Sequence, residues 1–177
     1  MNAFGKFVDW AEERLITSQA HDKNGFVCNI VSELGENIQA TNEEDELDSV
    51  CDICVFVSTE LPKLGFSKEK IENLFLYASE TYPDYDDGLL YTTRVLLELQ
   101  NMVDNSATED IIINILMMSF SEINSLGYDI SLALEQTFLE IDSRKGTWND
   151  ELKKWKKFTT EEYTSKWIKA DYTKAKI

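Results

Sequence analysis

The chain has 177 residues, 43% of them hydrophobic, with 9 Phe, 7 Tyr and 4 Trp. That is enough to bury a substantial single-domain core, and it excludes disorder. A formal net charge of −16 disfavours a nucleic-acid backbone as partner, and no apolar run approaches the ~20 residues that span a bilayer. Only two prolines and seven glycines interrupt the chain, leaving room for long helices.

Read in order, the chain predicts an all-α protein. A first helix covers 3–17, with Phe4, Phe7, Trp10, Ala11 and Leu15 at three-to-four spacing. A polar connection follows to Gly25, and a second helix covers about 26–40, with Phe26, Val27, Ile30, Val31 and Leu34 on its apolar side. The third, about 44–62, is rich in Val and Ile but too long for a strand, and it ends near Pro62 and Gly65. Ser67 reads as the N-cap of a fourth helix that runs to Tyr82, before Pro83.

The second half repeats this plan. Leu64-Gly65-Phe66-Ser67 is matched by Leu126-Gly127-Tyr128-Asp129, 62 residues on, and Glu33-Leu34 aligns with Glu98-Leu99 if the second turn is three residues shorter. The expectation is two tandem helical repeats, about 26–83 and 89–146, forming a four-helix core with flanking helices. This core occupies 1–146, and a basic, aromatic tail, 147–177, packs on it. Residues 1–143 carry 7 basic and 28 acidic side chains, whereas residues 144–177 carry 10 basic and 5 acidic.

Four carboxylates carry the most chemistry. Glu33 and Glu36 share one face of the second helix, and Asp48 and Asp52 share a face of the third. Packed antiparallel, the two helices bring the pairs together. Such a cluster repels itself unless a cation sits in it, and hard oxygen donors suit Mg²⁺, with Mn²⁺ as a substitute. Asp48 and Asp52 interrupt a strongly apolar helix, and burying unpaired carboxylates is costly. The counterparts in the second copy are Glu98, Asn101, Asp110 and Asn114, which removes two of the four charges. Conversely, Arg144 and Lys145 end the last core helix of the second copy, where the first copy has no basic residue. Metal ligands from one half and phosphate-facing cations from the other imply one site per chain and a polyphosphate substrate. Glu36 is the preferred group for orienting or deprotonating water.

Other motifs carry less. Cys51-x-x-Cys54 lies in an apolar helix with no second Cys or His pair to complete a zinc set, so packing is its expected role. Three cysteines fit a reducing compartment, and the first ten residues hold a charge instead of a signal-peptide apolar stretch, which predicts a cytoplasmic protein. Trp148, Trp155 and Trp167 are expected to anchor the tail.

Trp10-Ala-Glu-Glu-Arg14-Leu-Ile, Ser32-Glu-Leu-Gly-Glu36, Asp48-Ser-Val-Cys-Asp52-Ile-Cys-Val and Glu140-Ile-Asp-Ser-Arg-Lys-Gly146 together resemble the all-α NTP pyrophosphatase superfamily. The chain is most similar to its phage MazG-like members, some of which have tails like Lys166–Lys174. The resemblance implies a magnesium-dependent enzyme cleaving a nucleoside triphosphate to monophosphate and pyrophosphate, controlling a nucleotide pool in the host cytoplasm. It implies Glu33, Glu36 and Asp52 as metal ligands, Arg144 and Lys145 near the phosphates, and Trp10, Arg14, His21 and Asn29 near the base. Two departures stand out: Ser32 replaces the first of a usual glutamate pair, and Ser49 stands three before Asp52 where a glutamate is usual, with Asp48 as the substitute ligand. The expected partner is a nucleoside triphosphate, without membrane or nucleic acid, in a monomer or homodimer. The competing reading is a catalytically weak nucleotide binder, or an acidic module that engages another protein.

Overall fold

The computed structural model describes residues 3–85, 90–104, 108–152 and 154–177. Seven principal helices are α1 (Ala3–Glu13), α2 (Lys23–Gln39), α3 (Glu43–Glu60), α4 (Lys68–Thr81), α5 (Tyr91–Asp104), α6 (Thr108–Ser125) and α7 (Ile130–Ser143). A two-stranded hairpin, β1 (Gly146–Asn149) and β2 (Lys154–Lys157), and a one-turn helix α8 (Glu161–Thr164) follow. The fold is all-α apart from that hairpin. The start expected for the second repeat, residue 89, lies outside the described residues. Among the described residues, no helix is long and apolar enough to cross a membrane.

The four-helix core is a closed ring, in which α2 packs on α3, α3 on α6, α6 on α5 and α5 on α2. Its centre is α3, whose Leu47, Val50, Cys51, Ile53, Cys54 and Val57 are all fully buried. A helix apolar on nearly every side belongs in the middle of a core, which explains its strand-like Val/Ile content. Cys51 and Cys54 are free thiols there, and burial pushes both well above the usual thiol range. Outside the ring, α1 lies across α3, α4 and α7. Phe4 of α1 meets Phe75 of α4 and Phe120 of α6, with ring centroids 3.9 and 5.7 Å away.

The two halves share their turns in atomic detail. Gly65 takes φ +87° and Gly127 φ +80°, left-handed values that favour glycine. Phe66 N donates to Leu61 O and Tyr128 N to Ile123 O, each at 3.2 Å, so equivalent carbonyls are capped in equivalent ways. Ser67 then caps α4 by accepting from Lys70 N, and Asp129 caps α7 by accepting from Leu132 N.

Helix ends and the tail depart from the sequence-based expectation. α1 stops at Glu13 and not at 17: Leu15 adopts φ 59°, and Ile16 N turns back to Ala11 O at 2.9 Å. α3 stops at Glu60, and Pro62 lies in a 3₁₀ turn, Leu61–Leu64. Helices throughout were the expectation, but Gly146–Asn149 pairs antiparallel with Lys154–Lys157, with Trp148 opposite Trp155. These strands are too short for period-2 alternation to register. Gly146 is required at the start of β1, because a Cβ there would lie 2.3 Å from Lys156 O. The rest of the tail runs back along α7. Ile168 N donates to Ser143 Oγ at 2.9 Å, Ala170 N to Glu140 Oε2 at 2.7 Å, and Asp129 N to Ala175 O at 2.8 Å.

Candidate functional site

The register of the α2–α3 hairpin assembles the acidic group. Asn37 Nδ2 donates to Ser49 Oγ at 3.0 Å and to Glu46 O at 3.3 Å, and Ser49 in turn donates to Glu46 O at 2.7 Å. Ser49 is therefore a buried hairpin pin. One turn back along α2 and one turn on along α3, Glu33 and Asp52 come within electrostatic reach of each other. Burial is the main reason that Glu33 is pushed up to about 7, with Glu36 and Asp48 adding to it, while Arg144 and Lys157 pull the other way. Asp52 is held well above the usual carboxylate range, again by burial first and then by Asp48 and Glu33. Asp48 is raised by burial as well, opposed by a hydrogen bond from Tyr172.

The hydrogen-bonding pattern divides these carboxylates. Tyr172 Oη donates to Asp48 Oδ1 at 2.6 Å and lies 3.0 Å from Thr137 Oγ1. Glu140 is held by Arg144 and by Ala170 N. Glu33, Glu36 and Asp52 accept no hydrogen bond among the described residues. A partly buried carboxylate without a hydrogen bond is unfavourable, and Glu33 and Asp52, with the exposed Glu36 beside Glu33, offer the hard oxygen donors that suit a divalent cation. The donor chemistry thus fits Mg²⁺ or Mn²⁺. Among the described residues, however, no three acidic, His or Cys side chains are already drawn around one point.

A cavity of about 330 Å³ opens beside Asp52. It follows one face of α3 through Val55, Phe56, Thr59 and Glu60 to Lys63. Trp10 and Ile16 wall it on the α1 side, Asn29 on α2, Ile141 and Arg144 on α7, and Trp155 and Lys157 on β2. One end therefore combines a carboxylate with two cations. The middle is apolar and aromatic, and the far end is polar.

The structure distributes the residues singled out from sequence as follows. Trp10, Asn29, Asp52 and Arg144 line the cavity. Glu33 and Asp48 sit within electrostatic reach of Asp52, and Glu36 is exposed beside Glu33. Lys145 is exposed and outside the lining, where Lys157 supplies the second cation. Arg14 is 7% exposed: it pairs with Asp142 at 3.2 Å, donates to Trp10 O, and its guanidinium lies 4.7 and 5.3 Å from the Trp10 and Trp155 rings. It braces the wall from behind. His21 also stays behind the lining, with Nδ1 2.6 Å from Glu60 Oε1.

Phe56, Glu60, Lys63, Trp155, Lys157 and Tyr172 were missed from sequence as site residues. Phe56 and Glu60 follow Asp52 at +4 and +8 on the same face of α3, with Lys63 in the 3₁₀ turn just beyond, so extending the acidic pair along α3 would have found the first two. Trp155 and Lys157 share one face of a strand, a signal that four residues are too few to reveal. No protein-family model, curated protein or solved structure matches the chain.

Proposed function

We propose that the protein is a magnesium-dependent nucleoside triphosphate pyrophosphohydrolase. The observation that carries this reading is the adjacency of two things: the partly buried Glu33 and Asp52 with the exposed Glu36 beside them, none of which accepts a hydrogen bond among the described residues, and a cavity with Arg144 and Lys157 at its acidic end and aromatic walls beyond. A nucleoside polyphosphate has this polarity, with anionic oxygens at one end and a flat apolar ring at the other.

Glu33, Glu36, Asp52 and Asp48 would hold the metal, which supplies charge neutralisation at the phosphates and a more acidic bound water. Arg144 and Lys157 bind phosphate oxygens and stabilise the charge that gathers on departing pyrophosphate. Glu140 holds the Arg144 guanidinium in position from the preceding turn of α7. Glu36, exposed and without a hydrogen bond, takes the proton from the attacking water. Trp10, Phe56 and Trp155 exclude water from the ring.

A pyrophosphate-release assay over the common NTPs and dNTPs, with Mg²⁺ or with EDTA, tests the proposal. Turnover should require metal and be abolished by Glu36→Gln and by Asp52→Asn. If every triphosphate survives intact with either Mg²⁺ or Mn²⁺, the hydrolase reading falls. One observation favours the alternative of binding without turnover: the tail already occupies oxygens of Asp48 and Glu140. Tight nucleotide binding with no product would select it.

A further inference from the structure

The polar end of the cavity has a preorganised reader. Glu60 is 5% exposed and lines the cavity, yet its carboxylate is held from two sides, with His21 Nδ1 2.6 Å from Oε1 and Lys63 Nζ 2.9 Å from Oε2. A carboxylate offers about four acceptor positions, so both oxygens keep capacity for a ligand. Eight residues separate Asp52 from Glu60, about 12 Å along the helix axis at 1.5 Å per residue. That span matches a nucleotide lying along α3, phosphates at Asp52 and Arg144 and base edge at Glu60. The segment between is Val55, Phe56 and Trp10, surfaces for a flat ring and a sugar.

We propose that Glu60 is a specificity-determining residue that accepts a hydrogen bond from the exocyclic amino group of a cytosine, adenine or guanine base. The orientation of the nucleotide rests on the function proposed above; the chemistry of Glu60 does not. An acidic acceptor is complementary to an N–H₂ edge, as it is to the cytosine amino group in nucleic-acid recognition. Uracil and thymine in place of cytosine, and hypoxanthine in place of adenine, turn a carbonyl oxygen toward the carboxylate, whereas hypoxanthine in place of guanine only lacks the 2-amino donor. His21 and Lys63 fix the rotamer, so the acceptor is in place before the ligand arrives.

Calorimetric titration of the full-length protein with nucleoside monophosphates in EDTA reads this directly, because it needs neither metal nor turnover. The comparisons are CMP with UMP, AMP with IMP, and GMP with IMP. At least one amino-bearing nucleotide should bind about tenfold or more tightly than its partner, the discrimination of a single well-placed hydrogen-bonding contact. Glu60→Gln should reduce that ratio to about threefold or less while binding of inorganic pyrophosphate with Mg²⁺ stays unchanged. Glu60→Asp, which keeps the charge, should preserve the direction of preference even if the Gln variant fails to fold. No preference in the native protein overturns the proposal, as does a preference that survives Glu60→Gln. Amino-base preference without hydrolysis of any triphosphate would sink the enzyme reading alone, and hydrolysis without preference would sink only the role of Glu60.

Discussion

Replacing Tyr172 by Phe tests whether the tail is anchored through the acidic helix. The Tyr172 ring is 2% exposed, so Phe preserves its burial and deletes only the hydroxyl. That hydroxyl donates to Asp48 Oδ1 at 2.6 Å, and burial, Cys51 and Asp48 hold the phenol far above its ordinary pKa, so it remains a neutral donor. A hydrogen bond to a charged acceptor contributes roughly 1.5–3 kcal/mol. Asp48 is half-buried and regains some water, which places Tyr172→Phe at about 1.5 kcal/mol; Thr137 keeps its bond to Ala133 O. For a domain of this size the loss corresponds to roughly 3–6 °C in Tm. In an Asp48→Asn background the acceptor is neutral, and the same deletion should cost only about 0.5–1 kcal/mol. Thermal unfolding of the four proteins of this cycle at pH 8 gives a coupling of roughly 0.5–1 kcal/mol. Equal losses in both backgrounds, or a Tyr172→Phe protein as stable as the parent, would refute the anchoring role.

Glu33 makes the unliganded protein sensitive to pH. Its folded pKa of about 7 lies above the ordinary 4.5, so its stability contribution is fully present below about 4.5 and is lost as pH rises through 7. With partial exposure discounted, Glu33→Gln should stabilise metal-free protein by about 1–2 kcal/mol at pH 8 and leave it unchanged at pH 4, read by chemical unfolding. A mutant with an unaltered pH profile would disprove this electrostatic account. Phe120 has no exposed surface and meets both Phe4 and Phe75 at 5.7 Å, so Phe120→Ala should cost about 3–5 kcal/mol in urea unfolding. A loss below ~1 kcal/mol would mean that the aromatic cluster is not a packing centre.

How much was legible from sequence depended on whether the signal was local. Helix type, the two matched glycine turns and the serine cap follow from spacing and backbone chemistry within a few residues, and all appear in the structure. The proximity of Glu33 to Asp52 was legible because an antiparallel hairpin leaves few registers for two amphipathic faces. The far wall of the cavity was not. It depends on Trp155 and Lys157 arriving from a hairpin more than 90 residues after Phe56, through contacts that no local period encodes. Arg14, which the resemblance places near the base, sits behind the cavity wall, because Asp142 and Trp155, both remote in sequence, meet its guanidinium.

The second half shows the same scaffold with a different set of polar contacts. At the position equivalent to Asp52 stands Asn114, and its Nδ2 donates to Oε1 of Glu98, the counterpart of Glu33, at 3.2 Å. One amide turns a repulsive carboxylate pair into a hydrogen bond. Arg144 has no basic counterpart at the matching helix end: Tyr82 ends α4 where Arg144 ends α7, and α4 packs on α6 while α7 packs on α3. Glu122 does persist at the position of Glu60, and Arg94 stands opposite where the first half has Asn29. The two halves therefore share a scaffold and differ in electrostatic state. The pKa of Glu122 is itself raised by burial and by Glu46, with Arg94 pulling the other way, so a partly buried carboxylate is not peculiar to one half. What distinguishes the first half is that Arg144 and Lys157 both act on Glu33. Asn114 shows that one amide relieves such a repulsion; Glu33 and Asp52 instead stand without a hydrogen bond beside two cations, which supports the proposed binding of a cation and a phosphate.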